Sequence, residues 1–197
     1  MNWIAPPGPA ADGLRIGLLG GSFNPAHDGH LYVSETAHRR LKLDAVWWLV
    51  TPGNPLKDKS TMAPLTERLD SARRIAAHHP AIHVSALEQQ LGTIYTVDTV
   101  EALQRRFPGI HFVWLMGSDN LEQFSRWQRW EDLARRIPIA VIQRPGSILA
   151  ALNAPLVRRF GMVRDPRGAM RPPLVMVLDG ARNSESATRL RALRHSD

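Results

Sequence analysis

Residues 14–30 read Leu-Arg-Ile-Gly-Leu-Leu-Gly-Gly-Ser-Phe-Asn-Pro-Ala-His-Asp-Gly-His. The apolar run that opens this stretch predicts a buried strand, and the paired glycines directly after it predict a sharp turn. Gly20 and Gly21 let the backbone approach a bulky anion where a Cβ atom would collide with it. His27 and His30 then fall at the start of a predicted helix, where free N–H groups and the helix dipole favour negative charge. The stretch therefore predicts a phosphate site in which two imidazoles donate hydrogen bonds to phosphate oxygens.

Short apolar runs alternate with helical patterns along the rest of the chain, which predicts βαβ units and a parallel sheet. The predicted strands are Leu14–Leu19, Ala45–Val50, Ile82–Ala86, Ile110–Met116, Pro138–Gln143 and Leu174–Leu178. The predicted helices are Gly29–Lys42, Leu65–His78, Thr96–Phe107, Ser118–Phe124, Trp130–Arg136, Ile148–Phe160 and Ser186–Arg194. Thr96 is the expected N-cap of its helix, since its hydroxyl can satisfy a free N–H in the first turn.

These elements indicate an α/β fold, a Rossmann-like parallel sheet of five to six strands flanked by helices in a single domain. Residues 1–13 are rich in proline, alanine and glycine, and we expect them to form a flexible N-terminal lead-in. A single folded domain is expected to span residues 14–197.

The composition limits the possible functions. The 197 residues include no cysteine, which excludes disulfides, thiolate metal sites and a cysteine nucleophile. The longest apolar run, Ala45–Val50, is far shorter than the roughly 20 residues that cross a bilayer. Residues 1–13 lack the pattern of a signal peptide, so we expect a cytoplasmic protein with no membrane contact. The formal net charge is +7, with many basic residues after Arg158, and a basic end suits a polyphosphate as well as it suits RNA.

Three further segments follow predicted strands at the sheet edge where ligands of such folds bind. Lys57, in the loop after the second strand, can project positive charge over that edge. Gly117 and Asp119 follow the fourth strand, where a carboxylate can accept hydrogen bonds from both hydroxyls of a ribose. The last predicted helix begins with Ser186-Ala187-Thr188-Arg189-Leu190-Arg191, whose two hydroxyls and arginine suit a second anion site.

The glycine- and histidine-containing stretch after the first predicted strand resembles the opening signature of the nucleotidylyltransferase superfamily, which has an (H/T)xGH motif. The matching residues are Gly21–Pro25 and His27–His30. Within it the chain is most similar to the bacterial nicotinate-nucleotide adenylyltransferase family. The Ser186–Arg191 segment resembles the closing Ser-(Ser/Ala)-Thr-x-(Ile/Leu)-Arg signature of that family. Thr51–Lys57 resembles its Pro-x-Gly-x-Pro-x-x-Lys segment, with Leu56 where histidine is common.

The resemblance implies roles for individual residues. The implied catalytic residues are His27, His30, Lys57 and Arg191. Residues that would bind ATP and its phosphates are Gly20, Gly21, Ser22, Phe23, Gly117, Asp119, Ser186 and Thr188. The pyridine nucleotide would contact Asn24, Tyr95, Thr96 and Trp127, with Trp127 stacked on the ring. No metal site made by the protein is expected. Instead, Mg²⁺ is expected on the triphosphate, bound by phosphate oxygens and water.

The function implied by the resemblance is transfer of the adenylyl group of ATP to nicotinate mononucleotide, giving nicotinate adenine dinucleotide and pyrophosphate in NAD biosynthesis. The partners would then be these small molecules, with no nucleic acid and no membrane. Two alternatives stay open. One is the same chemistry on nicotinamide mononucleotide or another phosphate acceptor. The other, more distant, is a non-catalytic nucleotide- or RNA-binding module, for which the basic C-terminal region is the only support.

Overall fold

A computed structural model of the chain describes residues 4–53, 62–143, 153–164 and 170–179. The strands are β1 Arg15–Gly21, β2 Ala45–Val50, β3 Ile82–Ser85, β4 His111–Gly117, β5 Ile139–Gln143 and β6 Val175–Asp179. The α-helices in these ranges are α1 Asp28–Leu41, α2 Leu65–Ala76, α3 Leu87–Leu91, α4 Thr96–Arg106, α5 Leu121–Phe124, α6 Trp130–Arg136 and α7 Pro155–Phe160. A single 3₁₀ turn, Ser118–Asn120, joins β4 to α5.

The six strands form one parallel sheet in the order β3-β2-β1-β4-β5-β6. This arrangement confirms the predicted α/β, Rossmann-like fold. In register, Leu18 of β1 lies between Trp47 of β2 and Trp114 of β4. The chain winds outward in both directions from β1, so the switch in strand order falls between β1 and β4, where such sheets bind their ligands.

Helices on both faces explain why the predicted strands are continuous apolar runs. Every residue of β2 is buried, and successive side chains point to opposite faces. Trp47 belongs to the core on one face and Trp48 to the core on the other. The indole Nε1 of Trp48 donates to Oγ of Ser34 at 2.7 Å, which ties α1 to the sheet beneath it.

Apart from shifts of one or two residues at helix ends, the helices differ from the predictions at four places. The segment predicted as one helix over Ser118–Phe124 is a 3₁₀ turn, Ser118–Asn120, followed by α5. Thr96 is not an N-cap: the cap is Tyr95, whose backbone is extended, and Thr96 already lies inside α4. The segment predicted as one helix from Ile148 is not continuous in its described part, because Ala154 is extended and α7 begins at Pro155. A residue before proline is disfavoured in the α region, which accounts for this break. Helix α3 was not predicted, and Ser186–Arg194 lies outside the described residues.

Residues 4–13 lie against the folded domain. Ile4 and Ala10 pack on the core, and the side chain of Arg106 donates to the carbonyl of Ile4 at 3.2 Å. The backbone N–H of Gly13 donates to the carbonyl of Gly109 at 2.8 Å. The domain boundary at residue 14 stays a prediction. No helix in the described ranges is long and apolar enough to cross a membrane.

Candidate active site

A cleft of about 260 Å³ opens at the carboxyl edge of the sheet, where β1 and β4 end side by side. The predicted turn at Gly20 and Gly21 is not observed, because both glycines pair with β2 as the last residues of β1. The end of β1, residues 22–25 and the first turn of α1 form one wall of the cleft, and the residues at and after the end of β4 form the other. The predicted site residues that line it are Gly20, Gly21, Ser22, Phe23, Asn24, His27, His30, Gly117 and Asp119. The structure therefore brings both predicted phosphate and ribose segments to the switch point of the sheet.

Gly20 has a packing role in addition to the predicted one. A Cβ atom at this position would lie 2.5 Å from Cη2 of Trp114, so only glycine lets β1 pass the indole on the neighbouring strand. A Cβ atom at Gly21 would meet the ring of Phe23 at an ordinary 3.5 Å. Packing thus requires glycine at position 20 and leaves Gly21 free to serve a ligand.

Phe23 packs beneath the imidazole of His30 and helps to fix its position. Its φ of +47° lies in the left-handed region, which costs a residue with a Cβ atom about 1 kcal/mol or more. The phenyl ring is only 1% exposed and stacks on the imidazole of His30 at 4.5 Å and on the indole of Trp48 at 5.0 Å. Because the ring is buried, Phe23 can offer a ligand its backbone alone, while its side chain fixes His30.

His27 and His30 begin helix α1 by capping each other. His27 is the N-cap residue, and its Nδ1 accepts the backbone N–H of Gly29 at 3.1 Å. His30 stands three residues later, and its Nδ1 accepts the backbone N–H of His27 at 3.2 Å. The two rings lie 4.0 Å apart between centroids. This is the reciprocal arrangement of a capping box, with imidazoles in place of the usual hydroxyl and carboxylate.

The capping bonds determine what the two imidazoles offer a ligand. In neutral histidine one ring nitrogen accepts and the other donates. Because both Nδ1 atoms accept from the backbone, the neutral rings carry their protons on Nε2. Two N–H donors therefore belong to the cleft at a helix N-terminus, where the helix dipole favours negative charge. That combination suits the oxygens of a phosphate group.

The opposite wall offers an acceptor. Gly117 ends β4, and a Cβ atom on it would clash with Oδ1 of Asp119, so glycine here makes room for the carboxylate beside the strand end. Asp119 is the one carboxylate among the described residues that line the cleft. In the described part of the chain, no group of three or more histidine, cysteine, aspartate or glutamate side chains could hold a metal ion.

Three residues that were predicted to contact the pyridine nucleotide do not line the cleft; they are Tyr95, Thr96 and Trp127. Tyr95 is 40% exposed at the start of α4, and Thr96 is half-buried beside it. Trp127 packs edge-on against Trp114 with centroids 6.0 Å apart, and it therefore lies next to the indole that supports Gly20. An ion pair between Arg129 and Asp98 joins the first turn of α4 to the segment that carries Trp127.

Four predicted residues lie outside the described ranges. Lys57 falls in 54–61, and Ser186, Thr188 and Arg191 fall in 180–197. Their roles stay predictions.

Sequence reasoning missed two buried ionisable residues, Arg68 and Glu88. Arg68 is 2% exposed on α2, and burial lowers the pKa of its guanidinium. Its position three residues after Leu65 and next to Leu69 places it on the apolar face of the helix. A charge on an apolar face is the sequence signal that could have identified it.

The second missed residue is Glu88, which is 4% exposed on α3. Burial raises the pKa of its carboxyl to about 7, and a hydrogen bond with Thr51 opposes the rise. Its Oε2 atom has no hydrogen-bond partner among the described residues. Nothing in the short Leu87–Leu91 sequence distinguishes Glu88 from a surface glutamate, because one helical turn shows no period.

The chain is similar to known proteins over most of its length. The cytidylyltransferase-like family matches residues 18–193. A Rhizobium johnstonii protein is 47% identical over 94% of this chain and 96% of its own length. A Methylorubrum extorquens protein is 51% identical over 90% of this chain and 99% of its own. Both carry the name "Probable nicotinate-nucleotide adenylyltransferase".

Solved structures agree on the fold. A structure described as Plasmodium falciparum nicotinic acid mononucleotide adenylyltransferase complexed with NaAD aligns with a TM-score of 0.67 and 17% identity. It covers 91% of this chain and 83% of the Plasmodium chain. A second structure of that protein, complexed with APC, aligns with a TM-score of 0.65. At this identity the likeness supports the architecture alone.

Proposed function

The chain belongs to the cytidylyltransferase-like family and, within it, to the nicotinate-nucleotide adenylyltransferases, and from this premise we propose that it joins the adenylyl group of ATP to nicotinate mononucleotide. The products are nicotinate adenine dinucleotide and pyrophosphate, and the reaction is a step of NAD biosynthesis. The substrates are small molecules. A cytoplasmic location suits these substrates and the lack of cysteine.

The observation that carries this proposal is the pair of mutually capped imidazoles at the switch point. His27 and His30 both line the cleft, and each has Nδ1 occupied by a backbone N–H. In the neutral rings the Nε2–H groups are donors suited to an anion, and rings in this protonation state do not act as bases for a substrate proton. Such a site supports chemistry that needs charge stabilisation and no proton abstraction.

Adenylyl transfer has that requirement. A phosphate oxygen of nicotinate mononucleotide attacks the α-phosphorus of ATP, a new P–O bond forms, and the bond from the α-phosphorus to the bridging oxygen breaks. The electron pair leaves with pyrophosphate. The attacking phosphate is already ionised, so no activated side-chain nucleophile is needed. Rate enhancement comes from positioning and from donors aimed at the developing charge.

Individual residues take the following proposed parts. His27 and His30 donate to phosphate oxygens around the reacting centre, beside the backbone of Gly20–Ser22. Asp119 accepts from the ribose of ATP, and Gly117 leaves space for it. Asn24, Tyr95, Thr96 and Trp127 bind the pyridine nucleotide. Lys57, Ser186, Thr188 and Arg191 hold the departing pyrophosphate.

We propose that Mg²⁺ enters with ATP as part of the substrate. Within the described ranges the cleft lining supplies one carboxylate, Asp119, which is too few for a cage built by the protein. An ion held by phosphate oxygens and water fits that donor set, because Mg²⁺ keeps much of its hydration shell. The ion would neutralise triphosphate charge.

The reaction type is tested by following labelled ATP. With nicotinate mononucleotide and Mg²⁺ present, label at the α-phosphate should appear in the dinucleotide, and label at the γ-phosphate should appear in pyrophosphate. His30→Ala should slow both without moving either label, whereas His38→Ala, near the other end of the same helix, should leave the rate unchanged. Label from the γ-phosphate on the mononucleotide would contradict adenylyl transfer.

A further inference from the structure

Arg68 joins three separate segments of backbone beside the cleft. Its Nη1 donates to the carbonyl of Ser22 at 2.7 Å and to the carbonyl of Thr51 at 2.8 Å. Its Nε donates to the carbonyl of Ala63 at 2.8 Å, and Nη2 reaches the carbonyl of Pro52 at 3.4 Å. One side chain thus holds together the segment after β1, the segment after β2 and the residues that lead into α2.

A charge in this position is unusual. Arg68 is 2% exposed, and in the described part of the chain no carboxylate forms an ion pair with it. Among the described residues, it is these four carbonyls that solvate the guanidinium. Burial of a cation is costly, and an apolar side chain of similar volume often stabilises such a site better. We therefore expect the charge of Arg68 to serve mainly to hold these carbonyls in a fixed arrangement, and less to stabilise the fold as a whole.

The carbonyl of Ser22 leads directly to the candidate catalytic residues. The next residue is Phe23, whose strained backbone places its ring against the imidazole of His30 at 4.5 Å. A second link runs alongside, because Oδ1 of Asn24 accepts the backbone N–H of Ala63, the same residue whose carbonyl Arg68 binds. Movement of Ser22 would shift Phe23 and with it the ring of His30.

We propose that Arg68 is a positioning residue for adenylyl transfer. It fixes the backbone at Ser22 and, through Phe23, the position of His30 relative to the reacting phosphates. This inference rests on the proposed function. Arg68 itself touches no reacting atom. A displacement of about 1 Å in such a group can cost on the order of 100-fold in rate. Lysine cannot substitute, because its single ammonium lacks the planar fork that reaches four carbonyls at once.

The test compares Arg68→Lys and Arg68→Met with Leu69→Ala. Leu69 is the adjacent buried residue of α2, and its apolar side chain makes no polar contact with the loops, so its truncation weakens the same helix without touching the carbonyls. Pyrophosphate release is measured with both substrates varied, at a temperature where circular dichroism shows each variant to be folded. We expect Arg68→Lys to lower kcat at least tenfold while KM for nicotinate mononucleotide changes less than threefold. Leu69→Ala should keep kcat within twofold.

Wild-type kcat in folded Arg68→Lys would overturn the proposal. The proposal would also fail if Leu69→Ala lowered kcat as much as Arg68→Lys does. Any weakening of α2 would then reduce activity, and the role of Arg68 would be structural. If Arg68→Met does not fold, Arg68→Lys decides alone. If neither folds while Leu69→Ala does, the residue is structural and the proposal fails.

Failure of the proposed function gives a different pattern. A wild-type chain that uses nicotinamide mononucleotide instead contradicts the proposed acceptor, and the Arg68→Lys ratio is then measured with that acceptor. A wild-type chain inactive with both contradicts the proposed function altogether. In that case the Kd for magnesium-ATP decides the role of Arg68: fivefold weaker binding in Arg68→Lys supports it, and unchanged binding overturns it.

Discussion

The backbone N–H of His27 donates to Nδ1 of His30 across 3.2 Å, and the two rings lie 4.0 Å apart. The same contact starts helix α1 and orients the imidazoles in the cleft. A capping box normally uses serine or threonine with glutamate or glutamine. With histidines it leaves two Nε2–H donors, so one local arrangement serves the fold and the proposed chemistry together.

Removal of the second histidine should separate these roles. We expect His30→Ala to lower turnover by a factor of ~100 or more, in line with loss of a donor to the transition state. The fold should persist, with a stability loss of about 1 kcal/mol from the missing cap. Steady-state pyrophosphate release and urea unfolding measure the two effects. Near-full activity in His30→Ala would remove this residue from the mechanism.

Replacement of the first histidine can separate capping from catalysis more cleanly. Asparagine is among the best N-cap residues, so His27→Asn should keep the stability of the wild type, while His27→Ala should lose about 1 kcal/mol. Both variants lack the Nε2–H donor, and both should lose turnover by about tenfold or more. If His27→Asn were fully active, His27 would be a cap and nothing else.

The buried carboxyl of Glu88 predicts a pH dependence of stability. Its pKa is raised to about 7 in the folded protein, so between the ordinary glutamate value and pH 7 the folded state binds a proton that the unfolded state has lost. The contribution of Glu88 to stability is therefore complete at low pH and falls as the pH rises to about 7. Glu88→Gln, which resembles the neutral acid, should remove this fall.

In urea unfolding, Glu88→Gln should be more stable than the wild type at pH 8 by up to about 3 kcal/mol and no more stable at pH 4. Exposed Glu122 supplies the control, since Glu122→Gln should change stability little at either pH. Equal effects of Glu88→Gln at both pH values would show that the carboxyl does not titrate in this range.

Trp127 should act on the pyridine nucleotide and leave ATP unaffected. Loss of its ring in Trp127→Ala should raise KM for nicotinate mononucleotide by about tenfold, the usual scale for an aromatic that stacks on a base. Trp127→Phe keeps an aromatic face against Trp114 and should change KM less. Equal changes in both KM values would indicate that Trp127 only supports the core.

The sheet was predictable because strands buried on both faces are apolar without interruption. Ala45–Val50 was predicted with its observed bounds, and the other strands differ by one or two residues. The position of Gly20, Gly21, His27 and His30 at the cleft was predictable because glycines and histidines in that order have few structural uses. The mutual capping of His27 and His30 was not, since it depends on backbone angles that spacing alone does not define.

Arg68 and Glu88 escaped prediction for a shared physical reason. Charged residues on helices are usually solvated, so neither was expected in the core. The apolar face of α2 offered a signal for Arg68, whereas only tertiary packing reveals that Glu88 is buried. Thr96 failed as an N-cap because the chain enters its helix one residue earlier, at Tyr95. The preference of threonine for the N-cap position indicated a helix start near this point, but the exact first residue depends on the surrounding fold.

The most direct test of the account is kcat/KM for pyrophosphate release from magnesium-ATP, measured with nicotinate mononucleotide and nicotinamide mononucleotide side by side. We expect strong preference for the acid, at least 100-fold, with nicotinate adenine dinucleotide formed in step with pyrophosphate. Equal use of both acceptors would contradict the proposed specificity, and no release with either would contradict the proposed function.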